Sequence, residues 1–560
     1  MAQKPIAIYQ VLPRLYGNTQ ENCVPNGSIE ENGCGKLADF TLPRLRAIKK
    51  MGYTHIWYTG VIEHATQTDY SSFGIRQNHP QVVKGMAGSP YAIKDYYDID
   101  PDLAISVPDR MVEFDALIKR THQANLSVII DFVPNHVARE YFSDSKPADI
   151  RDLGYDDQTD HAFDPQNNFY YIPNQAFDTS LLPRCLQTDT PDYKEFPAKA
   201  SGNDVFSERP SAYDWYETVK LNYGVDYLAN GEAHFDPIPD TWRKMLDILL
   251  FWASKDIDGF RCDMAEMVPA DFWHYAIERV KEQFPDIVFI AEIYNPDNYR
   301  HYLSFGGFDY LYDKVGLYDT LRGITQGFVA ATALSQCWQN LGDIRTQMLH
   351  FTENHDEQRY ASVHIADSPT KALPAFVVCA LFDTAPVMVY AGQELGEKGA
   401  DAEGFSGPDG RTTIFDYWSV PTLRRNILGT LTEEELQLQA LYSKIIRLKG
   451  NSVALREGEM YDLMYFNHSG QNGFDSSHHY LFLRATEEEC VLVCTNFSDQ
   501  PADILVQIPT HAFDFFHIDR PWNSCYDLLN NKRIKQQLKP SHPVHVTMPP
   551  YGFSLLRFRK

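Results

Sequence analysis

Asp258-Gly-Phe-Arg261-Cys-Asp263 sets a guanidinium and a carboxylate two residues apart in a stretch that reads as a buried strand. Side chains alternate faces along a strand, so Arg261 and Asp263 share one side and Cys262 takes the other. Taken alone, the pair could be an ion pair that merely caps a strand. Other apolar stretches end the same way, however: Asp131 and His136 follow Ser127-Val-Ile-Ile, Glu292 closes Ile287-Val-Phe-Ile-Ala, and Glu353-Asn-His355-Asp356 follows Met348-Leu-His-Phe-Thr. Clustered carboxylates without Cys or a His-x-x-His spacing make a poor transition-metal site. They suit cleavage of an acetal, where one carboxyl protonates the leaving oxygen and another attacks or shields the cationic carbon. Like charges at close range also keep one carboxyl protonated, as an acid requires.

The elements that must position these groups recur as strand-helix units. Strands are expected at 7–16, 54–61, 127–131, 259–263, 287–292, 308–312, 348–352 and 386–390. Helical stretches lie between them, among them one ending at Gly52, one near 108–124 stopped by Asn125, and an apolar one over 245–252. Eight parallel strands close into a (β/α)8 barrel, an α/β fold whose active sites lie at the carboxyl ends of the strands. The rhythm breaks over 137–240, a stretch rich in Asp, Asn, Pro and aromatics and far too long for an ordinary βα loop, so it is expected to be an inserted subdomain. The barrel then comprises 1–136 and 241–450, with a last helix opening at the capping-box pattern Thr432-Glu-Glu-Glu435 and ending before Gly450. Residues 451–560 turn to short strands with Gly, Asn and Pro between them and are expected to form an antiparallel β-sandwich. That segment shows no cluster of exposed aromatics and reads as a packing domain.

At 560 residues the chain is too long for a single core. The net charge of -25, without a basic run, excludes nucleic acid and anionic membranes as partners and favours a neutral or cationic ligand. Aromatic residues at 13% exceed the needs of a core, and flat rings are what sugar faces stack upon. Met1–Pro5 runs straight into an apolar strand with no apolar h-region, no segment approaches a membrane span, and the nine cysteines are irregularly placed. A cytoplasmic protein with reduced thiols is expected, though a processed secreted form would look the same.

Four short motifs in order, Asp131-Phe-Val-Pro-Asn-His136, Gly259-Phe-Arg261-Cys-Asp263, Ala291-Glu292 and Phe351-Thr-Glu-Asn-His355-Asp356, resemble those of the α-amylase family of retaining glycoside hydrolases. The resemblance implies Asp263 as nucleophile, Glu292 as general acid/base and Asp356 as a third carboxylate on the sugar at the cleaved bond. It implies that Arg261 orients the nucleophile, that His136 and His355 bind hydroxyls, that Tyr91 stacks under the ring, and that Arg411 is the retained arginine of a later loop. The substrate class implied is starch-derived glucans or malto-oligosaccharides, with α-1,4 bonds the expected target. Transglycosylation or isomerisation by the same carboxylates, and an inactive glucan-binding barrel, are the alternatives.

Within the family, Val219-Lys220-Leu221-Asn222 and Asp263-Met-Ala-Glu-Met-Val268 are similar to motifs of the neopullulanase and cyclomaltodextrinase branch, whose N-terminal β-domain has no counterpart here. Three positions depart from the family. Glu266-Met267 replaces Lys-His after the nucleophile, Gly407 replaces a sugar-binding Asp for which Asp401 or Glu403 could substitute, and Ser89 replaces a His. No cofactor is expected to be required. The family's calcium site uses the equivalent of Asn135 with an Asp that aligns here with Lys220, so calcium is expected to be absent there and is possible only elsewhere. The oligomeric state is left open.

Overall fold

The computed structural model describes residues 5–183, 190–405 and 407–560. Eight strands form a closed barrel: β1 Ala7–Val11, β2 His55–Tyr58, β3 Ser127–Phe132, β4 Gly259–Cys262, β5 Val288–Ala291, β6 Tyr310–Tyr312, β7 Met348–Phe351 and β8 Val387–Tyr390. Each pairs in parallel with its neighbours in sequence, and β1 pairs with β8 to close the ring. Almost every strand residue is buried, as expected when a parallel sheet is covered on both faces.

The helices are read from the same pattern. In α1, Asp240–Ala253, residues Trp242, Met245, Leu246, Leu249 and Trp252 fall on one stripe and are buried. Each such side chain contributes roughly 1.5–3 kcal/mol when removed from water. In α2, Ala270–Gln283, buried Trp273 turns its indole N–H to the Ala265 carbonyl at 3.0 Å, pinning the loop that leaves β4. The helix before β2 ends at Gly52 with φ 114°, and Asn125 takes φ 58° ahead of β3. Both are left-handed positions that Gly and Asn adopt most readily.

The strand expected over 7–16 is shorter. It stops at Val11, and Pro13–Tyr16 is a helical turn. Pro13 at the first helical position has its φ set for a helix and no N–H to offer a sheet. The expected 308–312 strand keeps only Tyr310–Tyr312. The capping box at Thr432 and Glu435 forms, with both reciprocal hydrogen bonds, and opens α4, Glu433–Asn451. That helix runs past Gly450 rather than ending before it.

Two excursions rise above the barrel rim. After β2, an antiparallel pair Ile62–His64 with Ile93–Ile99 holds the loop that carries Tyr91. Beyond β3, strand His136–Ala138 pairs with Thr218–Lys220, and Tyr171–Ile172 with Ala198–Lys199. The segment between is mostly loop around a small core that includes Phe177, Leu182, Tyr193 and Tyr216.

Past α4 the chain builds an antiparallel six-stranded sheet around His479–Ala485, Glu489–Asn496 and Phe553–Arg559, together with the pair Ala502–Val506 and Val544–Met548. In that pair every second residue is buried, the pattern of a sheet with one face inward. The sheet is fastened to α3, Pro369–Leu381, which lies ahead of β8. Buried Arg484 donates to the Leu381 carbonyl at 3.0 Å, and buried Lys449 donates to the carbonyls of Ala380 and Asp383 at 2.9 and 3.0 Å. Two cations thus satisfy carbonyls at the negative end of one helix. The eight described cysteines are free thiols, Cys185 lying outside the described residues. Among the described residues no helix is long and apolar enough to cross a membrane.

Candidate active site

Arg261 sits near the carboxyl end of β4, where register places it beside Asp131 of β3 and Ile290 of β5. Its Nη1 lies 2.7 Å from Asp263 Oδ1 and 3.6 Å from Asp131 Oδ1. Its Nη2 lies 2.8 Å from Glu292 Oε2, off line for a hydrogen bond, so that contact is a charge pair. Nε donates to Tyr312 Oη at 3.1 Å. The rings of Trp57, Tyr91 and Tyr312 surround the guanidinium with centroids 5.2–5.4 Å away. One buried cation is therefore held rigidly between Asp263 and Glu292.

Glu292 is the residue after β5. Its Oε1 accepts from Tyr294 Oη, and its Oε2 accepts the Met264 N–H at 2.9 Å. Met264 takes φ 43°, a left-handed backbone uncommon for its type, directly after Asp263. That strained residue aims its N–H across the site, where such strain tends to serve function. Asp356 lies beyond β7 with 39% of its side chain open, and His355 Nε2 reaches its Oδ2 at 2.9 Å. His355 Nε2 also contacts Tyr91 Oη at 2.6 Å, and its Nδ1 contacts Gln10 Nε2 of β1 at 2.7 Å. Asp131 is fixed by Trp57 Nε1, the Gly60 N–H and Tyr91 Oη.

The charges are unequal. Burial pushes Asp263 well above the ordinary carboxylate range against the pull of Arg261, and the nearby charges of Glu292 and Asp356 push it further. Burial acts on Asp356 too, but His355, Arg261 and Arg411 together bring it below that range. A second carboxylate close by disfavours the charged form of Asp263, while Arg261 favours it. His136 is buried against Trp215, with ring centroids 5.2 Å apart. Burial, Lys220 and Lys84 lower it to about 3, so it is neutral at ordinary pH.

Tyr91, His136, Asp263, Glu292 and Asp356 line one cavity of about 320 Å³, closed by Trp215, Tyr294 and Phe415. Arg411 does not line it. Its Nε donates to the Asp356 carbonyl at 2.6 Å and its Nη1 pairs with Asp409 at 2.8 Å. Neither candidate for the missing Asp faces the cavity: Asp401 accepts from Trp418 Nε1 and buried Glu403 accepts the Thr413 N–H. Glu266 accepts the N–H groups of Tyr294 and Asn295, both at 3.1 Å, and braces the loop that carries Tyr294. Ser89 Oγ accepts the Tyr91 N–H at 3.2 Å.

Lys220 Nζ donates to Asn135 Oδ1 and pairs with Asp204 at 2.7 Å. An ammonium on the amide oxygen meant for a hard cation leaves that oxygen committed, so these residues do not fit calcium at this position. Gln10, Trp57, Trp215, Tyr294 and Tyr312 are site residues that the sequence reading missed.

The α-amylase catalytic-domain model matches residues 10–499. The chain belongs to the α-amylase family of glycosidases. α-Amylase MalA of Haloarcula japonica is 23% identical over 85% of this chain, which spans only 55% of that protein's length. A cyclomaltodextrinase of Geobacillus thermopakistaniensis is 22% identical over 89% of this chain and 69% of its own. The maltogenic α-amylase AmyB of Thermotoga neapolitana shares the fold over the full length of both chains, with a TM-score of 0.64 at 19% identity.

Proposed function

We propose that this α-amylase-family protein hydrolyses α-glucosidic bonds of starch-derived glucans or malto-oligosaccharides, α-1,4 bonds in the first place, with retention of configuration. The observation that carries the reading is the sharing of Arg261 by Asp263 and Glu292 at 2.7 and 2.8 Å. One guanidinium placed between two buried carboxyls suits a pair in which one attacks as a carboxylate while the other gives up a proton, the division of roles that double displacement uses. Catalysis proceeds from the form with the proton on Glu292. Glu292 gives it to the leaving oxygen while Asp263 attacks the anomeric carbon, forming a glycosyl ester and releasing the first product. Water then attacks that ester, Glu292 takes its proton, and the sugar leaves with Asp263 restored.

Asp356 presents an acceptor to hydroxyls of the sugar at the cleaved bond, and buried His355, its ring nitrogens engaged by Asp356, Tyr91 and Gln10, positions Asp356 and Tyr91 from beneath. Tyr91, stacked on His355 at 5.1 Å, offers its ring to the sugar face. Neutral His136 can both donate and accept. Lys220 stands where the family holds calcium, and the steps above are assigned to this chain's own residues. Cytoplasmic location remains part of the proposal.

Proton NMR of products from maltoheptaose, starch, pullulan and sucrose tests the reading. Early release of α-anomeric shorter glucans is expected. First-formed β-anomers, longer oligosaccharides, a rearranged disaccharide, or no change with any substrate would each overturn it.

A further inference from the structure

A second cleft, of about 520 Å³ against 320 Å³ for the active-site cavity, opens between the barrel helix Ala333–Leu341 and strand Glu459–Asp462. Its aromatic walls are Trp338, Tyr461, Tyr465 and Phe515. Tyr465 and Phe515 are 53% and 51% exposed, and Phe466 beside Tyr465 is 42% exposed. The Tyr461 ring stands 5.6 Å from Phe515 and 6.4 Å from Tyr465. The sequence reading found no aromatic cluster in this segment. The chain assembles one from residues some fifty positions apart and from the barrel. Open rings gathered in a concave place mark a binding site.

The polar groups say what would bind. Asp462 forms the floor and is fully engaged: its carboxylate accepts from Ser335 Oγ, Trp338 Nε1, Tyr480 Oη and the Met464 N–H. Trp338 is thereby locked in position, and the carboxylate beneath it is committed to donors of the fold. At the lip Arg345 pairs with Glu459 at 2.8 Å, cancelling the remaining charges. The Oη atoms of Tyr461 and Tyr465 lie 2.7 Å apart, and Tyr465 Oη meets His511 Nε2 at 2.6 Å, a hydrogen-bonding edge beside the rings. With the rim charges paired and the Asp462 carboxylate held by four donors, the cleft offers an ion no free partner among the described residues. Rings with a hydroxyl edge match a ligand that has apolar C–H faces and a rim of hydroxyls.

We propose that this cleft is a second carbohydrate site that holds a neutral glucan segment, and it rests on the α-glucan reading above. Residues Gly342–Gln347 lead from the cleft into the amino end of β7. The cleft therefore lies toward the end of the barrel opposite the rim that carries Asp263 and Glu292, and is no extension of the active site. A second foothold on a polymer raises the local concentration of cleavable chain without altering the chemistry.

The test is retardation in native gels containing amylopectin, with Asp263→Asn as background so that the polymer survives. Adding Tyr465→Ala and Phe515→Ala removes two half-exposed rings, which the fold tolerates. The expected result is about tenfold weaker retardation. In the active background maltoheptaose hydrolysis should stay within about twofold while attack on granular starch falls. Unchanged retardation overturns the proposal. So does a light-scattering mass that drops from dimer to monomer in the variant, which would make this face an interface between copies. Variant-sensitive retardation by a chain that cleaves no glucan would support this site and sink only the activity reading.

Discussion

Lys220→Met removes the ammonium from the place where the family holds calcium, and its cost can be worked from the contacts. Asn135 Oδ1 and the half-buried Met267 carbonyl, 3.3 Å from the ammonium, lose their donor, while Asn135 Nδ2 keeps the Gly202 carbonyl at 2.8 Å. One buried acceptor left bare costs about 1–3 kcal/mol. Asp204 has 41% of its side chain open and can turn to water, so its loss is no more than about 1 kcal/mol. Methionine keeps the packing of the lysine stem and spares the burial of a charge, which offsets part of this. Burial already makes Lys220 less basic than a free lysine, against the pull of Asp204. The net loss should be about 2 kcal/mol, read as a lower urea midpoint by tryptophan fluorescence at neutral pH. Neither calcium nor EDTA should move the wild-type midpoint, and calcium should not rescue the Met variant. Lys220→Asp, which restores an oxygen beside Asn135 and Asp204, should instead gain stability on adding calcium. A wild-type midpoint that falls in EDTA, or a Met variant within about 0.5 kcal/mol of wild type, would refute the reasoning.

Asp263→Asn and Glu292→Gln should each cost at least about a thousandfold in kcat/KM with the unfolding midpoint little changed; turnover near wild type by either removes that residue from its role. Tyr294→Phe deletes the hydroxyl on Glu292 Oε1 and should lower kcat/KM by about tenfold, since a buried polar atom left without its partner costs about 1–3 kcal/mol. Trp215→Ala opens the wall behind His136 and should raise KM for maltotriose by about tenfold; an unaltered KM would show that the indole does not meet the sugar. Glu403, raised by burial to about 9, keeps a proton in the folded state that the unfolded chain releases near its ordinary value. Its contribution is therefore full below about pH 4.5 and is lost progressively up to about pH 9, by about 1.4 kcal/mol per unit. Comparing urea midpoints at pH 5 and 8, Glu403→Gln should fall less than wild type between the two; equal falls would discard the assignment.

The barrel was legible because each of its strands is a short apolar run and most of the chemistry sits at the run's last residues, where alternation decides direction. Arg261 with Asp263 and the Glu353 to Asp356 segment could be placed on one rim by that argument alone. What escaped it came from residues whose meaning depends on a distant partner. Gln10 is a polar side chain inside the apolar strand Ala7–Val11, a signal present in the sequence, but its partner His355 is 345 positions away. Tyr294 could have been found, since it stands two residues after Glu292 and shares its side of an extended segment. Trp215 could not, because the stretch that carries it has no period. Pro13 shortened the first strand by a rule that was available, whereas the tasks of Glu266 and Glu403 follow only from the loops they brace.

The fastening of the last sheet onto α3 governs how this gene can be cut. A chain ended after α4 would leave the Leu381 carbonyl without Arg484 and would bare the apolar face against which Phe482 meets Phe382 at 5.7 Å. Residues 451–560 then behave less as an appendage than as the second half of a stopper whose first half, Lys449, comes from α4. A fusion or a swapped terminal module would have to bring a donor for the Leu381 carbonyl to stand beside Lys449, which α4 already supplies to that helix end.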